Sequence, residues 1–345
     1  MPGTFLNYPF DEEIFLMNWM AASDPTRTAL IDSGAVVNDA EIARLIANGS
    51  AIYTLPFYKV LGGTADNYDG TNNITVTDPD GGSQSGVVYG RAHAWKDQDF
   101  VHDFGNGVNP TIQISQQVAK YWQKQRQNRL IGILKAIFAI TDDNTDTWDE
   151  WQKHTLSLAL TAAGTVADAN RVGAASAGAA TQKAVGDNAG IFKLAVMHSA
   201  VAQKLSEQQL LSFRKYTDPA GIARQLNIAD WNGYTVIVDD GVPHEANNTT
   251  KVVDYTTYLL GDGAIRFASA PVKNAVELGR ERLTNGGYDY LVTRFRETIH
   301  PNGFTFTMPS STLSPTDQQL GTAANWSLAG LDPKCIAIAR IISNV

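Results

Sequence analysis

Residues 75–90 read TVTDPDGGSQSGVVYG, and the meaning given to this stretch decides the fold. Asp78 and Asp80 sit one residue apart and run into Gly81-Gly82, a pattern that opens many calcium loops. An EF-hand loop starting at Asp78 needs an oxygen-bearing side chain at its fifth position, glycine at its sixth and glutamate at its twelfth. Those positions hold Gly82, Ser83 and Tyr89, so the ligand set is incomplete. A glycine-rich calcium repeat also fails, because Gly81-Gly82-Ser83-Gln84 lacks its third glycine and nothing nearby repeats it. Turn chemistry fits better: Pro79 presets its own φ, and Gly81 tolerates a positive one. Before the turn, Ile74 and Val76 alternate with Thr75 and Thr77. After it, Val87, Tyr89, Arg91, His93 and Trp95 alternate with Val88, Gly90, Ala92 and Ala94. Period two on both sides predicts the two strands of a long hairpin over 55–104, with 78–86 as its turn. That gap exceeds the usual hairpin loop and is expected to be mobile.

The 345 residues are enough for about two domains. A hydrophobic content of 43% and seven tryptophans can fill real cores, which excludes a disordered chain. The longest apolar run, 130–140, is interrupted by Lys135 and too short to span a bilayer, so no membrane partner is expected. The opening MPGTFLNYPFDEE carries acid where a secretory signal carries base, so no export is expected. Cys335 is alone, which rules out a disulfide within the chain and fits a cytosolic origin. A net charge of −8 argues against a protein that grips DNA through its phosphates. The densest basic group, Lys120, Lys124, Arg126 and Arg129, falls on one predicted helix as its solvated face.

Residues 1–50 have the character of an arm. Phe15, Leu16, Trp19 and Met20 recur at helical spacing, and a second short helix over 39–46 follows Asn38, a candidate cap. Asn109-Pro110 is a cap followed by proline at the first helical position, and Val118, Tyr121, Trp122, Leu130, Ile133, Leu134, Ile137 and Phe138 line one stripe. A helix over 110–140 follows, about 45 Å long at 1.5 Å per residue. The small-residue stretch GAASAGAA (173–180) lacks the Gly-Lys-Ser/Thr of a phosphate loop. Helix is expected again over 191–211, with His198 as a packing residue. From Tyr234 onward strands dominate: 234–238, 255–260, 264–268, 290–299, 304–307 and 336–342. Thr316 and Gln319 have capping-box spacing for a short helix.

Reactive constellations are sparse. Asp239, Asp240 and His244 stand at a strand end and form the one combination suited to a hard or borderline metal. The competing view is that Asp239-Asp240-Gly241 simply ends a strand and His244 opens a loop. Cys335 has no activating motif beside it and is expected to be a buried, inert thiol. Neither a Gly-x-Ser-x-Gly elbow nor a dinucleotide fingerprint occurs, so no cofactor and no catalytic residue are assigned.

Taken in order, the segments resemble the major capsid proteins of tailed bacteriophages with the Hong Kong 97-like fold. The resemblance rests on Leu55-Pro56-Phe57-Tyr58-Lys59, Arg91-Ala92-His93-Ala94-Trp95, Val118-Ala119-Lys120-Tyr121-Trp122 and Leu134-Lys135-Ala136-Ile137-Phe138. It continues through Gly186-Asp187, Val196-Met197-His198-Ser199, Gly233-Tyr234-Thr235-Val236-Ile237-Val238-Asp239-Asp240 and Gly263-Ala264-Ile265. It ends with His300-Pro301-Asn302-Gly303-Phe304 and Ala324-Asn325-Trp326, so the matching order runs over about 50–345.

The resemblance implies an α+β chain: N-terminal arm 1–50, extended loop 51–105, peripheral domain with a spine helix 106–185, axial domain 186–285, and a return to the peripheral domain over 286–345. It implies hexamers and pentamers that close an icosahedral shell around double-stranded DNA, in a virion assembled in the host cytoplasm. Portal and scaffold or decoration proteins are the further partners it suggests. With no long coiled-coil segment in the chain, any scaffold is expected to be separate or removed. An extended hairpin needs a neighbour to cover its edges, which makes Ile74, Val76, Asp78, Asp80, Val87, Tyr89 and Arg91 the expected inter-subunit contacts. Two alternatives stand beside this one: an encapsulin-like nanocompartment of the same fold, and a metal-dependent hydrolase built on Asp239, Asp240 and His244.

Overall fold

The computed structural model describes residues 3–5, 8–10, 34–59, 61, 63–68, 70, 71, 73–76, 78–98, 111–141, 146–217, 223–310 and 312–345. The expected stripe of Phe15, Leu16, Trp19 and Met20 and the Asn109-Pro110 helix start lie outside them.

The chain begins with β1 (Gly3–Phe5) paired to β2 (Tyr8–Phe10). It continues through β3 (Val36–Asn38), α1 (Ala40–Ala47), β4 (Ile52–Tyr58), β5 (Gly81–Val87), β6 (Tyr89–Gln98) and the long α2 (Thr111–Ile137). Then come α3 (Asp146–Gln152), β7 (Thr155–Ser157), α4 (Ser176–Val185), β8 (Phe192–Met197) and α5 (Ser199–Glu207). Strands β9 (Leu211–Thr217), β10 (Ala223–Trp231), β11 (Tyr234–Val238), β12 (His244–Ala246) and β13 (Val253–Gly261) follow. Next are β14 (Ile265–Ala270), β15 (Val276–Glu281), β16 (Tyr288–Pro301) and β17 (Phe304–Phe306). The last elements are α6 (Asp317–Leu320), β18 (Trp326–Leu328) and β19 (Ile338–Ser343).

Among the described residues the larger sheet has eight strands in the order β7-β19-β13-β8-β11-β10-β9, with β12 added beside β13. Strand β8 sits in its middle, antiparallel to β13 and parallel to β11. The parallel pairing needs a crossover, and α5 with the β9–β10 hairpin supplies it. Alternation along β8 divides the core in two. Leu194 and Val196 pack with Ile133, Leu134 and Ile137 of α2 on one side, while Ala195 and Met197 pack with Ala177, Ala184, Val201 and Leu205 of α4 and α5 on the other. This corrects the helix expected over 191–211: its first part is a strand, because a short apolar run buried on both faces carries no helical signature. Helix begins only after His198, whose side chain caps α5.

The second sheet is organised by β16. Strand β6 runs along one edge of it from Tyr288 to Glu297, while β15 and β14 share the other edge, with β3 beyond β14. The first half of α2 lies on this sheet: Val118 and Trp122 pack with Val276 and Leu291, and Trp122 donates its indole N–H to Thr293 Oγ1 at 3.0 Å. Its second half lies on the larger sheet. One helix of about 40 Å therefore ties the two sheets together.

The hairpin differs most from expectation. Strand β5 pairs with β4, not with 74–76, in a register from Ile52↔Val87 to Tyr58↔Gly81. The expected turn 78–86 is therefore mostly strand, and residues 59–80 connect β4 to β5. The register follows from side-chain volume. Tyr53 lies opposite Gly86 and Phe57 opposite Gly82, and a Cβ on either glycine would overlap the facing ring. Each glycine leaves room for an aromatic side chain laid across the ribbon. Pro56 is tolerated because the ribbon has only two strands and each has a free edge. The expected second strand, with His93 and Trp95, instead belongs to β6 in the body.

Helix α1 is bound to the body of the chain. Asp39, rather than Asn38, caps α1, accepting from Glu41 N at 2.9 Å and Ile42 N at 3.1 Å. Ile42 and Ile46 are buried against Tyr53, Leu55, Val88, Ala268 and Ala270. Thr316 and Gln319 form the capping box their spacing predicts.

Candidate functional site

The ribbon has a buried root and an exposed end. At the root Tyr53 and Leu55 are packed under α1, and Tyr53 Oη lies 2.9 Å from Thr298 Oγ1. Buried Gln84 donates to Asn302 Oδ1 at 3.1 Å and accepts from Gly303 N at 2.9 Å. These contacts set the direction in which the ribbon leaves the body. Beyond the root the character reverses. Tyr58, Leu61, Tyr68, Ile74 and Val76 are exposed, from 70% for Ile74 to 91% for Tyr68. Tyr58 at the end of β4 and four residues of the connecting segment thus present large side chains that the subunit leaves unburied. Lys59 Nζ and Asp80 Oδ2 close its base at 2.6 Å, and Lys59 N donates to Asp80 O at 2.9 Å. Asp66 accepts from Thr75 N and, at 3.2 Å, from Thr75 Oγ1. The backbone hydrogen bond from Thr75 is the main reason its carboxyl stays below the usual range.

The seven expected contact residues therefore separate. Ile74, Val76 and Asp78 are exposed on the loop, and Asp80 is tied to Lys59. Val87 and Tyr89 are corrected: both are buried in the subunit's own core, since alternation places them on the inward face. The half-buried Arg91 guanidinium binds Asp317 Oδ1 at 2.6 Å and Pro315 O at 2.8 Å in the same chain. Tyr58, at the end of β4, was missed, and so were Leu61 and Tyr68, although apolar residues in a loop without periodicity are the signal that marks those two.

Beneath the root lies an ionic hub. Arg129 Nη1 meets Glu297 Oε1 at 3.3 Å and its Nε meets Asp317 Oδ1 at 2.7 Å, while Arg126 Nε meets Glu297 Oε2 at 2.7 Å. Tyr89 donates to Glu297 Oε1 at 3.2 Å, and the Arg129 guanidinium lies 4.6 Å from the centre of its ring. Desolvation pushes the Tyr89 phenol well up, reinforced by the Glu297 charge. Arg129 is thus a buried linchpin joining α2, β6, β16 and α6, not part of a solvated face. Only the surrounding charges distinguish it from Lys120 and Lys124, which are exposed as expected.

Asp239, Asp240 and His244 come near one another but face different partners. Asp239 accepts from Gly241 N at 2.8 Å and from the Gln127 amide. Asp240 accepts from Ser199 N at 3.3 Å, and His244 Nδ1 lies 3.4 Å from Val242 O. The nearest addition is His198, whose Nε2 is 3.8 Å from Asp240 Oδ1. His198 Nδ1 already accepts from Ala200 N at 3.1 Å, which puts the neutral ring's proton on Nε2 and removes the lone pair a metal needs there. Among the described residues, no three His, Cys, Asp or Glu side chains stand where they could share a metal. Cys335 is corrected to an exposed thiol on a 3₁₀ turn, with its pKa raised by desolvation and by Asp332. No described helix is long and apolar enough to cross a membrane.

A two-sheet body bound by one long helix, with a rooted ribbon and an apolar loop beyond any core of its own, is the form of a shell subunit. A family model described as major capsid protein 13-like (Gp13-like) matches residues 108–337, well over half of the chain, and the chain belongs to that family. The protein is a major capsid protein, a subunit of a bacteriophage shell. Its fold is similar to the capsid of Ralstonia phage GP4, with a TM-score of 0.57 and 9% identity over 90% of this chain and 87% of that one. It is also similar to the capsid asymmetric unit of cyanophage Pam1, with a TM-score of 0.51 and 10% identity over 93% of each chain. No curated protein sequence matches the chain. The α+β, Hong Kong 97-like class expected from the sequence holds.

Proposed function

We propose that the chain builds hexamers and pentamers of a closed icosahedral shell around double-stranded DNA, using loop 59–80 as the element that reaches a neighbouring copy. The observation carrying this is the contrast within one ribbon: a root held by Tyr53, Leu55 and Gln84, and an end exposing Tyr58, Leu61, Tyr68, Ile74 and Val76. Burying those side chains requires another copy. In this scheme 1–50 is the arm, 51–105 the extended loop, 106–185 and 286–345 the peripheral domain, and 186–285 the axial domain. The net charge of −8 suits a container that must later release its genome. Portal, scaffold or decoration proteins complete the particle, assembly takes place in the host cytoplasm, and the chain performs no catalysis.

Replacing 61–78 with a short Gly-Ser link tests the role of the loop. The cut stays outside β4, β5 and the Lys59–Asp80 base. The expected result is a subunit with normal circular dichroism and thermal unfolding that forms no closed shells under the electron microscope. Normal shells from this variant overturn the proposal.

A further inference from the structure

Helix α5 begins at an unusual cap. His198, extended at φ −70° and ψ 150°, accepts the Ala200 N–H on Nδ1 at 3.1 Å, the task that Ser, Thr, Asn or Asp usually performs. An imidazole can do this only while neutral. When Nδ1 is protonated it becomes a donor facing a donor, and the cation stands at the positive end of a helix. We propose that His198 is a pH-sensitive cap, which holds the first turn of α5 at neutral pH and releases it in mild acid. The released turn carries Ser199 and Ala202, which with Gln203, Phe213 and Val238 line a groove of about 480 Å³ between α5 and the sheet. Acid would therefore alter one face of the larger sheet while leaving its core strands in place.

The surroundings set the direction of the titration. The groups facing His198 are Asp239 and Asp240 from the turn after β11, His244 from β12 and Tyr255 from β13, with ring centroids 4.8 Å away for His244 and 5.1 Å for Tyr255. Desolvation lowers its pKa and His244 adds to that effect, while Asp240 and Asp239 oppose it. A His with a depressed folded pKa contributes its full stabilisation above the ordinary imidazole range, and the contribution is lost as pH falls through the depressed value. Asp240 remains ionised through this window, held down first by its hydrogen bond with the Ser199 side chain. It offers the new cation a partner at Nε2 in place of the cap.

The experiment is hydrogen–deuterium exchange of the full-length protein at pH 7.5 and pH 5.0, corrected for intrinsic exchange. Peptides covering 199–205 are expected to lose about fivefold in protection at the lower pH, the scale of a removed helix cap. Peptides from 118–137 of α2 should hold steady. The His198→Asn variant keeps an acceptor that does not titrate, so its 199–205 protection should not change with pH. His244→Gln leaves the cap in place and should shift the loss to higher pH by removing a neighbouring imidazole. Equal protection at both pH values in the wild type overturns the proposal. So does an unchanged pH response in His198→Asn, or in His244→Gln should the first variant fold poorly.

Discussion

Arg129 and Glu297 meet with 3.3 Å between guanidinium and carboxylate, and each side chain is only 1% exposed. The pair joins the helix that spans the subunit to the central strand of its second sheet, directly below the root of the ribbon. Removing one partner leaves the other buried with a single remaining ion pair, Arg129 with Asp317 or Glu297 with Arg126. Glu297→Ala is expected to cost about 3–5 kcal/mol in chemical denaturation of the subunit. Arg129→Met together with Glu297→Leu should recover much of that loss; no recovery in the double variant would show that burial of the charge is not the cause.

The glycines of β5 make a separate prediction. A side chain at Gly86 must displace the Tyr53 ring, and with it the hydrogen bond to Thr298. Gly86→Leu should therefore lower shell yield sharply while reducing subunit stability by about 1–3 kcal/mol. Tyr53→Phe, which removes only the hydroxyl, should cost about 1 kcal/mol and leave assembly intact. Particle counts by electron microscopy, set against thermal unfolding, separate the two effects.

His300 makes the third prediction, in acid. It is fully buried, and desolvation lowers its pKa to about 3, with Arg266 adding to the shift. The imidazole is neutral in the fold and charges readily once unfolded. Its contribution to stability is thus complete above the ordinary imidazole range and falls away as pH drops from there toward 3. His300→Gln should flatten the pH dependence of unfolding free energy between pH 6 and 4 relative to wild type. An identical slope in the two proteins would remove His300 from the account.

Trp151 tests the junction between α3 and the larger core. It is buried, stacked on Phe138 at a centroid distance of 4.9 Å and edge-on to Phe304 at 5.0 Å. Trp151→Ala is expected to cost about 3–5 kcal/mol, read as a lower denaturation midpoint. Trp151→Phe should recover more than half of it.

Much of the architecture was legible in local chemistry. The stripe from Val118 to Phe138 marked the long helix, and Thr316 with Gln319 marked the capping box. The strand at Tyr234–Val238 was equally plain. The candidate site was legible only in part. Exposed Ile74 and Val76 lie on the projecting loop, but the strands assigned to that hairpin were wrong, and Tyr89 and Arg91 belong to the body.

Periodicity, caps and turn residues established which segments become helices and strands, because those preferences act over a few residues. Which strand would pair with 81–87, whether 192–197 would be strand or helix, and whether Arg129 would meet water or Glu297 depended on segments distant in the chain. Alternating side chains fit either face of several partners. A charge is solvated or buried according to what packs over it. Those outcomes were settled when Tyr53 lay across Gly86 and α2 came down on both sheets.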